Sequence, residues 1–112
     1  MPDYSAITYD LADGVATITL NRPESANTLN ETLSGEMLDA IIRSEDNKDV
    51  RALIISGGTG RFFCAGADLK SFYTAPDALK SKVSLLHVAI SRIVRAPFPV
   101  IAAAWVSRAP AI

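Results

Sequence analysis

Alternating apolar and polar residues near the start of the chain predict a β-hairpin. Two β-prone runs, Ala6–Leu11 and Val15–Leu20, are separated by Ala12-Asp13-Gly14. Asp-Gly pairs readily adopt the positive φ angles that tight hairpin turns require. In the second run, apolar residues alternate with Thr17 and Thr19. We therefore expect one face of this strand to be buried and the threonine hydroxyls to lie on the other.

A helical pattern follows the hairpin. The sequence Thr28-Leu29-Asn30-Glu31 has the spacing of a capping box, which predicts that Thr28 caps the N-terminus of a helix. The polar tract 45–49 ends the apolar stripe of this helix, for which we expect about four turns with one buried face. The stripe consists of Leu33, Met37, Leu38, Ile41 and Ile42.

The second half of the chain repeats the order strand, helix, strand. Val50–Ser56 has little polar alternation, which favours a strand covered on both faces, and the glycines at 57–60 predict a loop. A second amphipathic helix is expected from about Asp77 until the prolines at 97 and 99, and then a buried strand at Val100–Ala104. Its apolar stripe is Val83, Leu86, Ile90, Ile93 and Val94. The predicted fold class is α/β.

Composition narrows the range of functions. The chain has 112 residues, of which 49% are hydrophobic and 21% charged, as expected for one globular domain. Its formal charge of −1 gives no reason to expect nucleic acid or a membrane as a partner. The single cysteine, Cys64, excludes an internal disulfide and fits a reducing compartment. Because no signal sequence or long apolar run is evident, we expect a cytoplasmic protein.

One segment combines the small residues and polar group typical of a ligand-binding turn. It is Ala65-Gly66-Ala67-Asp68-Leu69-Lys70, in which Asp68 is suited to cap the helical turn that follows. A plain connection from strand to helix is the alternative interpretation. The preceding loop, residues 57–61, lacks the Gly-Lys-Ser/Thr ending of a phosphate-binding loop and is interpreted as a surface turn.

The remaining reactive side chains are interpreted as structural. Cys64 lies among apolar residues and is predicted to be a buried small side chain, and His87 is predicted to be packed or at the boundary of the core. Glu24, Glu31 and Glu36 are interpreted as turn, cap and solvent-face residues, respectively. No metal site is predicted.

Three sequence patterns occur in the order found in the enoyl-CoA hydratase/isomerase (crotonase) superfamily, which the chain resembles up to Ala103. They are Thr19-Leu20-Asn21-Arg22-Pro23-Glu24 with Ala26-Asn27-Thr28-Leu29-Asn30, then Phe63-Cys64-Ala65-Gly66-Ala67-Asp68-Leu69, then Pro97-Phe98-Pro99-Val100-Ile101-Ala102-Ala103. The resemblance implies a truncated form of the crotonase-like (ClpP/crotonase) fold, a spiral of repeated β-β-α units. It also implies an acyl-CoA thioester as ligand and activity as an enoyl-CoA hydratase, which is a lyase, or an isomerase.

The resemblance assigns roles to particular residues. The Ala67 backbone N–H corresponds to the first of two donors that bind the thioester oxygen as it becomes an enolate. Residues that correspond to coenzyme A or substrate contacts are Ser25, Ala26, Ala65, Gly66, Ala67, Asp68, Leu69 and Lys70. No cofactor beyond coenzyme A, as part of the substrate, is expected. The family suggests a homo-oligomer, a trimer or hexamer.

The sequence departs from the family after Ala103. There the family has a glycine-rich turn that supplies the second donor, and later the catalytic carboxylates, but no glycine follows Gly66 here. We therefore expect residues 1–103 to form the N-terminal part of an acyl-CoA-binding domain and 104–112 an atypical tail, from a truncated or frameshifted gene. The chain alone is predicted to be marginally stable and inactive as a hydratase. The alternative is a non-catalytic CoA-binding remnant or interaction module.

Overall fold

The structure is a computed structural model that describes residues 4–58, 64 and 79–103, together with their side chains except those of residues 79–83. The described chain contains β1 (Ile7–Ala12), β2 (Val15–Leu20), a short 3₁₀ helix (Pro23–Ser25), α1 (Glu31–Asp46), β3 (Ala52–Ser56), α2 (Leu79–Val94) and β4 (Val100–Ala103). The strands lie in the order β1-β2-β3-β4. This mixture of helices and strands confirms the predicted α/β class.

The predicted hairpin forms, with Asp13 and Gly14 as its turn. Their φ angles are +53° and +81°, the two positive values that a type I′ turn needs. The strands pair antiparallel, with Ile7 opposite Leu20. A side chain at Gly14 would also collide with the Arg51 guanidinium, whose Nε would lie 2.6 Å from the added Cβ. The arginine side chain could move aside, so the positive φ is the main reason that glycine is favoured at position 14.

The other strand pairs are parallel, and helices connect them. β2 pairs with β3, and β3 pairs with β4. Because α1 leads from β2 to β3 and α2 leads from β3 to β4, the helices make the crossovers that parallel strands need. In the described residues neither helix is long and apolar enough to cross a membrane.

The core lies between the sheet and α1. On β2 the alternation is as predicted, since Ala16, Ile18 and Leu20 are buried. They pack with apolar residues of α1 and β3, and the helix contributes four of them: Leu33, Met37, Ala40 and Ile41. On β3 the expectation of full coverage is only partly right, because Leu53 and Ile55 are buried while Ile54 is half-buried.

The capping prediction for α1 is wrong by two residues. Asn30 is the N-cap, and its side chain accepts a hydrogen bond of 2.8 Å from the Leu33 N–H. Thr28 instead lies in the preceding loop, where its N–H donates to the Ser25 carbonyl. The sequence did not distinguish these residues, because both are good caps and both precede an acidic residue or an apolar run.

The predictions for α2 and β4 need larger corrections. Ile90 and Val94, predicted for the apolar stripe of α2, are exposed, and Ala89 is the buried residue among the α2 side chains that the structure describes. The side chain of Val83, also predicted for the stripe, lies outside them. His87 is exposed rather than packed or at the boundary. On β4, predicted to be buried, Ile101 is 54% exposed. The reason is position, since β4 is the edge of the described sheet and pairs only with β3 there.

Two predictions for single side chains also change. Cys64 is half-buried against the core rather than fully buried. Glu36, interpreted as a solvent-face residue, is half-buried, and its carboxylate accepts hydrogen bonds from the backbone N–H groups of Ser5, Ala6 and Ile7 at 2.7–3.2 Å. It therefore ties α1 to the start of β1.

Candidate functional site

The carboxyl ends of β2, β3 and β4 lie along one edge of the sheet. This follows from their parallel pairing, which places Leu20, Ser56 and Ala103 toward the same side. Ligands of parallel α/β sheets generally bind outside the carboxyl ends of strands, where the loops diverge. We call this the carboxyl edge, and it is the candidate site.

The loop after β2 is held in one conformation by its own hydrogen bonds. Pro23–Ser25 forms a turn of 3₁₀ helix, and the Ala26 N–H donates to the Pro23 carbonyl over 3.2 Å. The Arg22 guanidinium donates to the carbonyl of Thr28 across the loop. Ser25 and Ala26, the predicted contacts to the nucleotide end of coenzyme A, are thus presented on a braced loop at the carboxyl edge. Both are half-buried.

Two consecutive residues of this loop have left-handed backbone conformations. Ala26 and Asn27 both have φ of +54°. Residues other than glycine adopt this region at a steric cost, which Asn tolerates better than Ala. Such a conformation persists only where the surrounding structure enforces it, and strained positions of this kind cluster at functional sites.

Asn27 supplies that enforcement. Its side chain is 2% exposed and joins two parts of the carboxyl edge. Oδ1 accepts from the Arg22 N–H at 2.7 Å, and Nδ2 donates to the Gly57 carbonyl at 3.1 Å. The orientation of the amide is determined by its partners, since an N–H needs an acceptor and a carbonyl a donor.

Sequence reasoning gave no role to Asn27. Asn27 is part of the first family pattern, in which no role was assigned to it. The available signal was an asparagine in a loop directly after a strand, because Asn is enriched where the backbone is left-handed.

The chain leaves β3 at the same edge through two glycines, as predicted for the start of the loop. Gly58 has φ of +74°, and a side chain there would approach the Thr19 methyl group to 3.2 Å. Its N–H donates to the Ser56 hydroxyl over 3.1 Å. The positive φ and this close approach both favour glycine at position 58.

The other predicted site residues cannot be placed. Ala65, Gly66, Ala67, Asp68, Leu69 and Lys70 all lie outside the described residues. Of the predicted set, the structure therefore brings together Ser25 and Ala26 with the exit of β3, from which the sequence continues to this segment.

A separate groove lies at the opposite edge of the sheet, where α1 and α2 end. It has a volume of about 600 Å³ and is lined by Glu45, Asp46, Val88, Ser91, Arg92, Arg95 and Pro97. Arg92 and Glu45 form an ion pair of 2.7 Å there. Charges of both signs line the groove, and none of the predicted site residues belongs to it.

Shifted pKa values occur around Tyr4, which lies neither at the carboxyl edge nor in the groove. Its hydroxyl donates to Asp39 Oδ2 over 2.6 Å, and Arg43 Nε donates to the same oxygen over 2.9 Å. Burial, and then the hydrogen bond to Asp39, raise the pKa of Tyr4 to about 12. The hydrogen bonds from Tyr4 and Arg43 lower the pKa of Asp39. This cluster joins the N-terminal segment to α1.

Metal ligands do not gather anywhere in the part of the chain that the structure describes. No group of three or more His, Cys, Asp and Glu side chains there could hold an ion. The described carboxyl edge offers backbone groups and hydroxyls, which suit hydrogen bonding to a polar ligand. The Asn27 amide is buried and bonded within the protein.

Comparison with known proteins agrees with this architecture. Residues 10–105 match the model of the family described as enoyl-CoA hydratase/isomerase. The 1,2-epoxyphenylacetyl-CoA isomerase of Escherichia coli K12 is 35% identical over 95 residues, which are 80% of this chain and 36% of that protein.

Solved structures match over nearly the whole chain. An enoyl-CoA hydratase/isomerase from Xanthobacter autotrophicus Py2 is 37% identical with a TM-score of 0.82, covering 91% of this chain and 39% of that one. An enoyl-CoA hydratase from Bacillus anthracis is 31% identical with a TM-score of 0.82, covering 89% and 40%. The chain thus reproduces the crotonase fold over about two fifths of the length of these relatives. By sequence pattern, fold and family match together, the chain belongs to the enoyl-CoA hydratase/isomerase family.

Proposed function

We propose that the chain binds the coenzyme A part of an acyl-CoA thioester at the carboxyl edge. The observation that carries the proposal is the braced loop containing Ser25 and Ala26, which Asn27 ties to the exit of β3. Family membership supports it, and the Escherichia coli relative is named as an isomerase of a CoA thioester. In this arrangement the nucleotide end of the ligand lies beside Ser25 and Ala26.

The thioester end is assigned to the segment that follows the exit of β3. Ala65 contacts the adenine, and Asp68, Leu69 and Lys70 follow the pantetheine. The Ala67 N–H donates to the thioester oxygen, which gains negative charge as an enolate forms. A preorganised donor of this type contributes about 2.7–4 kcal/mol to transition-state binding. Gly66 and the small side chain of Ala67 let the ligand approach the backbone.

Binding without turnover is the second candidate for the chain tested alone. The chain spans 36–40% of the length of the relatives described above. Hydration needs positioned acid and base groups, each of which contributes about 10²–10⁴-fold. The resemblance assigns those carboxylates, and the second donor, to positions beyond Ala103.

The experiment compares free coenzyme A with crotonyl-CoA. Calorimetric titration should show binding of both by the unchanged chain, and enoyl absorbance should stay constant with time. Ala67→Pro removes the N–H and should weaken the binding of crotonyl-CoA only, because free coenzyme A has no thioester carbonyl. Ala67→Gly keeps the N–H and is the matched control.

Three results would contradict parts of the proposal. Absence of coenzyme A binding would refute the site itself. An equal loss of affinity for both ligands in Ala67→Pro would refute the donor role of Ala67. Steady loss of enoyl absorbance would refute binding without turnover and establish the chain as an enzyme.

A further inference from the structure

We propose that Asn27 is a positioning residue that holds the coenzyme A-binding loop after β2 in place against the exit of β3, an inference that rests on the function proposed above. Its side chain is buried and connects the loop after β2 with the residue that follows β3. The loop after β2 contains Ser25 and Ala26, the proposed ligand contacts that the structure describes.

The geometry is a closed set of hydrogen bonds. The Asn27 N–H donates to the Arg22 carbonyl at 2.8 Å, while the Arg22 N–H donates to Asn27 Oδ1 at 2.7 Å. Asn27 therefore engages both backbone groups of Arg22 and closes the loop that contains Ser25 and Ala26. The bond from Nδ2 to the Gly57 carbonyl, 3.1 Å long, then attaches this closed loop to the exit of β3.

The backbone conformation makes asparagine well suited to this position. The left-handed φ of +54° at Asn27 follows an identical value at Ala26. Asn tolerates this conformation and carries both an acceptor and a donor on a short side chain. Glycine would permit the conformation without the hydrogen bonds, and aspartate would keep the acceptor without the donor.

Loss of the connection should weaken ligand binding more than it disturbs the fold. A ligand that spans two segments is sensitive to small displacements between them. A buried carbonyl left without its donor favours rearrangement of the loop around it. We expect removal of the Nδ2 donor to raise the dissociation constant for coenzyme A about tenfold.

The test uses Asn27→Asp with Asn47→Asp as matched control. Asn47 follows α1 at the opposite edge, and its Oδ1 likewise accepts a backbone N–H, that of Asp49. Both variants make the same chemical change, but Asn47 is half-buried and lies away from the carboxyl edge. Coenzyme A titration and amide hydrogen exchange at Gly58 are measured on each folded variant.

Asn27→Asp should bind coenzyme A about tenfold more weakly and exchange faster at Gly58, whereas Asn47→Asp should stay within about twofold of the unchanged chain. The loss should shrink as pH falls toward the pKa of the introduced carboxyl, about 3.9 when unperturbed, because the protonated group can again donate to Gly57. A loss that is independent of pH would refute the role of the donor.

Asn27→Gly is the second variant, in case the new carboxylate prevents folding. It keeps the left-handed backbone and removes the side-chain hydrogen bonds to Arg22 and Gly57. Its affinity for coenzyme A should fall by the same factor as that of Asn27→Asp. Affinity within about twofold of the unchanged chain would overturn the proposal. If the unchanged chain does not bind coenzyme A, the proposed function fails, and the positioning role is then decided by exchange at Gly58: faster exchange in the Asn27 variants supports it, and unchanged exchange refutes it.

Discussion

The two outer strands of the described sheet, β1 and β4, carry different surfaces along their free edges. On β1 the exposed positions include Thr8 and Asp10, so the edge is polar. On β4 the exposed positions are Ile101, Ala102 and Ala103, so the edge is apolar. Sheet edges that face water normally carry charges or other features that prevent pairing with another strand. By this criterion, β1 is an edge strand protected against pairing with another strand, and β4 is an open edge.

The helices show the same contrast. Near β1, Glu36 of α1 binds the backbone N–H groups of Ser5 and Ala6, and the Tyr9 hydroxyl of β1 lies 2.9 Å from the Ser44 hydroxyl. Near β4, α2 exposes apolar side chains, and Val94 is 78% exposed. Exposed apolar surface, and a strand whose outer edge has no partner in the described sheet, are both typical of an association site. We therefore expect the isolated chain to self-associate through α2 and β4.

The largest expected effect tests the contrast in packing. Ile41→Ala removes a fully buried side chain of α1 and should lower the free energy of unfolding by about 2–5 kcal/mol. Val94→Ala removes an exposed side chain of α2 and should change it by no more than about 0.5 kcal/mol. Urea titration measures both, at a protein concentration low enough to keep the chain monomeric. Equal losses would show that Val94 is buried in solution and that the two regions do not differ.

The next effect concerns the polar contacts at the β1 side. Glu36→Ala leaves the N–H groups of Ser5, Ala6 and Ile7 without their acceptor and should cost about 1.5–3 kcal/mol in urea titration. Glu24→Ala, at an exposed carboxylate, is the control and should lie within about 0.5 kcal/mol of the unchanged chain. A cost no larger than that of the control would show that the Glu36 hydrogen bonds do not stabilise the β1 side.

Self-association provides the corresponding test of the β4 side. Ile101→Lys places a charge on the open edge and should raise the dissociation constant of self-association about tenfold or more, since burial of an isoleucine contributes about 1.5–3 kcal/mol. Thr8→Lys makes the same addition on β1 and should have little effect. Sedimentation equilibrium measures both. A monomeric unchanged chain with a cooperative thermal transition would contradict the expectation.

The smallest effect is a pH dependence at the β1 side. The pKa of Tyr4, raised from 10.0 to about 12, means that the folded chain favours the protonated hydroxyl. This stabilisation is complete below pH 10 and is lost as pH rises from 10 to about 12. The free energy of unfolding of the unchanged chain should therefore fall relative to Tyr4→Phe over that range. Parallel profiles for the two proteins would contradict the assignment.

Local patterns predicted the elements of this fold well. Asp13-Gly14 indicated the hairpin turn because few other pairs adopt two positive φ angles in succession. The alternation on β2 and the helical spacing in α1 indicated both the elements and their buried faces, since these periods follow from backbone geometry alone. The three sequence patterns then indicated the family, which the comparisons confirm.

Other features depended on neighbours that the sequence does not reveal. Asn30 rather than Thr28 caps α1, because hydrogen bonds to the Arg22 guanidinium and the Ser25 carbonyl hold the Thr28 backbone in the preceding loop. Glu36 is half-buried because its place on α1 faces the start of β1.

The sequence by itself determined the order and type of the elements, the hairpin turn and the family, because each depends on residues close together in the chain. Tertiary structure alone decided that Asn27 bridges β2 and β3, and that Ile90, Val94 and Ile101 are exposed. An apolar residue is buried only if another element covers it, and an asparagine forms a bridge only if a distant carbonyl lies within reach. Both conditions are set by the packing of the whole chain.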